Sequence, residues 1–538
     1  MIEATGGEAL ALQLAEEGVR HIFGIPGVQL DYAMDGLAQV SDKIQFIGTR
    51  HEQTAAYMAD GYARSSGDIG VCMVVPGPGL LNASAALATA YACSSPVLCI
   101  TGQIPSSAIG RGLGMLHEVP NQSRILDSVT KWHALARTPS EIPGLVREAV
   151  QQLGSGRPRP VAIEIPPDVL AARAPLELVD PKFGQGRAPT EPDLHAVAKA
   201  AELLRGASHP MIWAGWGVQA ADASDSLREL AEALDAPVIM SRTGNGSLPG
   251  DHYLAFTTLS GRRVLPACDV LLVIGSRFLT LKGSPIATAQ GTKVILVNAD
   301  ETDLGEPRNP EVAIHGDADV TIRAITELLG GFARERSHDS SLDAARSWAA
   351  AQFASIQPQQ ALLSALRAAL PRDGILISEL TQVGYAARVG FPAYTPRSII
   401  SPGYQGTLGY GFPTALGVKM AHPDRGVIGI TGDGGFGWGM AELATAKKYN
   451  IGLVTVVFND GAFGNVRRTQ KDDFESRYIA TDLVNPDYLA LAAAFGITGY
   501  RANSPDDLRT MAIEALGKDE PALIEVPVTE MPSVWHLL

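Results

Sequence analysis

The stretch IGITGDGGFGWGMAELATAKKYNIGLVTVVFNDGAFGNVRR, residues 428–468, reads as a buried strand, a glycine turn, a helix, a second buried strand and a loop. The helical part runs for about fourteen residues, and this order is that of a βαβ unit with a ligand-binding turn after its first strand. Asp433 lies in the first turn and Asn459-Asp460 close the second strand, so oxygen-bearing side chains leave the same sheet edge twice.

Two chemistries compete for this edge. Gly432, Gly434 and Gly437 fit G-x-G-x-x-G, and Asp460 ends the next strand, as in a dinucleotide-dependent oxidoreductase. Asp433 speaks against that reading, because a carboxylate inside the turn repels pyrophosphate oxygens unless a cation lies between them. Mg²⁺ takes near-octahedral oxygen ligands from carboxylates, carbonyls and phosphates, and Asp433, Asp460 and the backbone carbonyl of Ala462 supply such a set. The metal reading accounts for Asp433; the dinucleotide reading does not.

Outward from this unit, strands and helices alternate along all 538 residues, too many for a single core. The expected fold is α/β, with three doubly wound parallel-sheet domains at residues 1–175, 192–335 and 350–538. The apolar runs HIFGIPG, KIQFIGT, IGVCMVV, SPVLCITG and RPVAIEIPP make strands of the first; HPMIWAGWG, APVIMSRTG, CDVLLVIGSRF and TKVILVNAD belong to the second. GILISELTQVG, RSIISPGYQ, GVIGITGDGG, LVTVVFNDG and PALIEVPV belong to the third. Polar stretches near residues 176–191 and 330–348 read as linkers.

A net charge of −14 offers no basic face for nucleic acid or anionic membrane. The N-terminus lacks a basic leader, and no stretch has the length of an apolar membrane span. Cys72, Cys93, Cys99 and Cys268 sit in apolar contexts without metal spacing, as reduced core thiols do. A cytoplasmic enzyme is expected.

G-D-G followed one strand later by Asn459-Asp460 resembles the hallmark of thiamine-diphosphate enzymes, in which N-N closes the motif; here Asp460 replaces the second asparagine, oxygen for oxygen. R-H-E-Q at residues 50–53 and G-P-G-L-L-N ending at Asn82 resemble the pyrimidine-binding domain of the acetolactate synthase and 2-oxo acid decarboxylase group. The resemblance implies that Glu52 bonds a ring nitrogen of the cofactor's aminopyrimidine and drives deprotonation of the thiazolium carbon. SPGYQGTLGYGFP resembles the loop beneath the bent cofactor, with Leu408 propping the two rings and the Gly406 carbonyl facing the exocyclic amine. Gln382 in SELTQVG matches a residue that helps hold the diphosphate, assisted by the backbone of Gly432, Gly434 and Gly435.

In GRGLGMLHEVPNQ, His117 stands where acetolactate synthases place glutamine and pyruvate decarboxylases a histidine, which implies a proton shuttle. Val28, Gln29 and Arg467 are the substrate-side candidates. The segment SRTGNGSLPGDHYLAFTTLSG is similar to the FAD-binding part of acetolactate synthases but lacks the glycine-methionine-histidine-glycine run, so FAD is not expected. The resemblance therefore implies thiamine diphosphate with Mg²⁺, a 2-oxo acid substrate, and carboligation to a second carbonyl compound such as an aldehyde. Non-ligating decarboxylation, as in ketoarginine decarboxylases, and 2-hydroxyacyl-CoA lysis are the alternatives. It also implies a homodimer or homotetramer with active sites shared between subunits.

Overall fold

The computed structural model describes residues 2–181, 189–336 and 340–538. Three six-stranded sheets, each parallel throughout, lie one after another along the chain, with helices in most of the crossovers. The first sheet runs in the spatial order Gln45–Gly48, His21–Gly24, Gly70–Val74, Val97–Gly102, Val161–Ile165, Trp132–Leu135. The third runs Ile399–Ile400, Ile375–Ser378, Val427–Gly432, Val454–Asn459, Ala522–Pro527, Thr498–Arg501. Numbered along the chain, both orders are second, first, third, fourth, sixth, fifth. The middle sheet instead runs third, second, first, fourth, fifth, sixth, from Ala255–Thr257 to Val312–His315. That is the order of dinucleotide-binding sheets.

This topology separates two features that the sequence leaves side by side. The G-x-G-x-x-G match at Gly432 lies on the third sheet, not on the sheet with the dinucleotide-binding order. Central strands such as Gly70–Val74 and Val270–Ile274 are buried at every residue, the pattern of a sheet covered on both faces.

The first and third domains share one continuous core. The helix Glu52–Ser66 packs on the helix Gly411–Ala421, and Tyr57, Met58, Tyr410 and Phe412 are buried between the sheets. The helix backbones meet at two glycines. A Cβ on Gly61 would lie 2.2 Å from Thr414 O, and one on Gly417 would lie 2.0 Å from Met58 O. Only glycine allows that approach.

Two expectations need correction. The single helix after the glycine turn is three pieces, Asp433–Gly439, a 3-10 turn at Met440–Glu442, and Leu443–Lys448. Four glycines among residues 434–439 weaken helical continuity, and Glu442 is turned inward to accept the N–H groups of Arg50 and His51. The second linker also carries structure, because the helix Ser340–Ala354 takes in its residues 340–348; residues 337–339 lie outside the described residues. Part of the first linker, residues 182–188, lies outside them too. The four cysteines are free and buried. Among the described residues no helix is long and apolar enough to cross a membrane.

Candidate active site

Asp433 opens its helix at the carboxyl edge of the third sheet, and its carboxylate is almost fully buried. Oδ1 accepts the N–H of Gly434 at 2.9 Å; Oδ2 accepts the N–H of Gly461 at 2.9 Å and the Asn485 amide at 2.7 Å. Burial still holds its pKa above the usual aspartate value. Asp460 follows the neighbouring strand, accepting the Gln382 amide at 2.9 Å and the Ala462 N–H at 3.3 Å. Burial, and then the charge of Asp433, push Asp460 up to about 6.

Two carboxylates desolvated within each other's field are costly until a cation joins them. An oxygen-only donor set of this kind fits Mg²⁺. Among the described residues no group of three or more His, Cys, Asp or Glu side chains forms a metal cluster. A metal here would therefore complete its shell from backbone and phosphate oxygens. Ala462, which bridges to Asp482 across an isolated antiparallel pair, sits at the loop beside Asp460. Gly432 ends its strand as the N-cap residue of the Asp433 helix. The Gly434 N–H, expected at the diphosphate, turns instead to Asp433 Oδ1.

The Leu408 loop borders this group. Leu408 is 42% exposed although it is apolar, and Gly406 packs beside Leu380. Beneath the loop lies Glu379, 3% exposed, whose pKa burial raises to about 7.

On the first domain, Glu52 begins the helix Glu52–Ser66 and is half-buried, with Asn82 donating to its Oε2 at 2.9 Å. Gln53 reaches across to the Leu408 carbonyl at 3.2 Å. Gln29, buried, accepts from His117 Nδ1 through its Oε1 over 3.0 Å, and its amide nitrogen donates to the Leu116 carbonyl at 3.1 Å. His117 has φ +66°, a left-handed conformation uncommon for a residue with a side chain. Val28 is exposed beside it. Thus Glu52 pairs with Asn82, His117 with Gln29, Asp433 with Asn485, and Asp460 with Gln382.

Arg467 is not gathered into that group. Its guanidinium pairs with Asp482 at 2.5 Å and lies over the Tyr478 ring. Arg468 instead reaches the site, bonding Gln382 Oε1 at 2.7 Å and the Met531 carbonyl.

Comparison with known proteins decides the family. Residues 4–125 match the N-terminal TPP binding domain of thiamine pyrophosphate enzymes, residues 197–325 the central domain, and residues 381–526 the C-terminal TPP binding domain. The chain belongs to the thiamine pyrophosphate enzyme family. It is 35% identical to a probable 2-ketoarginine decarboxylase of Pseudomonas aeruginosa, covering 97% of this chain and 94% of that protein. It is 33% identical to a probable acetolactate synthase large subunit of Methanocaldococcus jannaschii, covering 98% and 93%. It is 31% identical to the acetolactate synthase isozyme 1 large subunit of Escherichia coli, covering 99% and 96%.

Within this thiamine pyrophosphate enzyme, three polar residues at the site escape sequence reasoning. Glu379 sits in SELTQ beside Gln382, and a carboxylate at the end of an apolar strand was the available signal. Glu442 accepts from Arg50 and His51, the two peptides before Glu52, and no motif marks it. Asn485 is 52 residues from Asp433, and only the fold brings them together. A separate cavity of about 1310 Å³ lies against the middle domain, lined among others by Gly215, Gly217, Arg242, Arg277 and Asn298.

Proposed function

We propose that this protein is a thiamine-diphosphate and Mg²⁺ dependent enzyme that decarboxylates a 2-oxo acid and joins the product to a second carbonyl compound, in the manner of acetolactate synthases. The observation that carries the proposal is the pair of buried Asp433 and half-buried Asp460 on adjacent strand ends, braced by Asn485 and Gln382. Bound thiamine diphosphate supplies a carbon nucleophile and an electron sink for the departing carboxylate.

The chain's own residues do the rest. Asp433, Asp460 and the Ala462 carbonyl would hold the cation, and Gln382 with the Gly435 backbone would hold the diphosphate. Leu408 would support the bound cofactor from below, and the Gly406 carbonyl would offer it an acceptor. Glu52 carries a proton at the aminopyrimidine ring, and Asn82 fixes the direction of its carboxylate. His117, oriented by Gln29, holds or delivers a proton at the substrate oxygen. Val28 and Gln29 border the substrate. Arg467, already paired with Asp482, is reserved for the outer part of an anionic substrate. The family resemblance supports a cytoplasmic homodimer or homotetramer in which Glu52 serves the Asp433 turn of a second subunit.

The His117–Gln29 pair favours a second reading, in which protonation replaces carboligation, as in a non-ligating decarboxylase. Products separate the two. NMR analysis after offering pyruvate, longer 2-oxo acids, 2-ketoarginine and aldehydes shows either a new carbon–carbon bond or a free aldehyde. A dinucleotide-dependent oxidoreductase, the reading that the middle sheet's strand order favours, is tested by thermal stability. Thiamine diphosphate with Mg²⁺ should raise the unfolding midpoint. A rise with NAD(P) or FAD alone would overturn the proposal.

A further inference from the structure

We infer that Glu379 is a positioning residue: its carboxylate ties the Leu408 loop to the Asp433 turn and so sets the shape of the cleft in which a bent cofactor sits. The inference rests on the thiamine-diphosphate reading above.

Glu379 follows the strand Ile375–Ser378 and stands three places before Gln382. Its Oε1 accepts the N–H of Gly409 at 3.0 Å and of Tyr410 at 3.2 Å, the two peptides immediately after Leu408. Its Oε2 accepts the hydroxyl of Thr431, two residues before Asp433. The turn touches it again at Gly435, where a Cβ would lie 2.5 Å from both carboxylate oxygens. Glycine at 435 therefore leaves room for the carboxylate.

One side chain thus contacts all three segments that border the proposed cofactor: its own, leading to Gln382, the loop bearing Gly406 and Leu408, and the turn bearing Asp433. These segments are far apart in sequence, with 30 residues between Glu379 and Gly409 and 52 between Glu379 and Thr431. A buried carboxylate is costly, and three donors that all belong to backbone or hydroxyl groups at the site offset that cost. The arrangement explains how an apolar side chain such as Leu408 stands 42% exposed at a fixed height, because the peptides behind it are anchored from below.

Side-chain length and hydrogen-bond pattern give the test. Glutamine keeps the reach: its oxygen still accepts from Gly409 and Tyr410, and its amide donates to Thr431 Oγ1, whose own proton goes to the Gly432 carbonyl at 3.1 Å. Aspartate, one methylene shorter, cannot span both neighbours. Thiamine diphosphate with Mg²⁺ is titrated calorimetrically into the wild type, Glu379→Gln and Glu379→Asp, with the circular dichroism of the bound cofactor recorded alongside. Glu379→Gln should bind within about threefold of wild type, and Glu379→Asp at least about tenfold more weakly with an altered cofactor spectrum. Should Glu379→Asp fail to fold, Thr431→Val removes one arm of the clamp and should weaken binding about threefold.

A folded Glu379→Asp protein with a lowered thermal midpoint but wild-type affinity and spectrum would show that the carboxylate only stabilises the fold, and would overturn the inference. Equal losses in the Gln and Asp variants would overturn it too, since charge rather than reach would then matter. Absence of binding by the wild type is a different failure, that of the cofactor reading itself.

Discussion

Asn485 places its side-chain amide 2.7 Å from Asp433 Oδ2 and 2.9 Å from Asn459 Oδ1, so a residue outside the glycine turn fixes the carboxylate expected to bind metal. Groups that orient a ligand in this way influence metal affinity about tenfold to a hundredfold. Asn485→Ala should therefore raise the Mg²⁺ concentration needed for half-maximal thiamine-diphosphate binding by about tenfold, with little change in the unfolding midpoint of the metal-free protein. A Mg²⁺ titration followed by calorimetry measures it, and an unchanged requirement would mean that Asn485 does not position Asp433.

Asp460 sets a pH dependence whose sign follows from its environment. Burial and the charge of Asp433 raise its folded-state pKa to about 6, above the ordinary aspartate value. The metal-free fold therefore binds this proton more tightly than the unfolded chain does. The resulting stability is fully present below the ordinary aspartate value and is lost as pH rises through about 6. Asp460→Asn removes this loss. In urea titrations with chelator, at pH values above about 6, the variant should be more stable than wild type by about 1 kcal/mol, a figure already reduced for solvent screening. Parallel stability curves across the pH range would contradict it.

Gly417 tests the shared core of the first and third domains. A methyl group there would lie 2.0 Å from the Met58 carbonyl oxygen, and neither helix backbone can yield without moving its sheet. Gly417→Ala should destabilise the protein by more than about 3 kcal/mol. Chemical denaturation checks this, and a cost under about 1 kcal/mol would show that the helix Glu52–Ser66 shifts freely on the helix Gly411–Ala421.

The fold was legible wherever strands are buried on both faces. Runs such as Val71 to Val74 and Val270 to Ile274 are continuously apolar and announce themselves. The edge strands Trp132–Leu135, Val312–His315 and Thr498–Arg501 are partly exposed, carry His133, His315 and Arg501, and send no such signal. The antiparallel pair Ile2–Thr5 with Arg173–Leu176 was hidden for the same reason, its two members lying at opposite ends of the first domain.

Within the site, residues on motif-bearing turns were legible because spacing along the chain carries them: Asp433, Asp460, Glu52 and Leu408. Residues that brace these turns were not. Glu379, Glu442 and Asn485 act across 30 to 392 residues of sequence, and their partners are mostly backbone N–H groups, which leave no trace in composition or periodicity. Arg468 shows the same limit at close range. Its neighbour Arg467 looks equivalent in sequence, yet helix phase sends Arg468 to Gln382 and Arg467 out to Asp482.

The central claim is that Glu52 activates bound thiamine diphosphate, and the direct measurement is hydrogen–deuterium exchange at the thiazolium carbon, stopped with acid and read by NMR. For Glu52→Gln loaded with cofactor and Mg²⁺, the account expects exchange to fall by about a hundredfold or more while calorimetry shows cofactor binding retained. Exchange at the wild-type rate in that variant would contradict it.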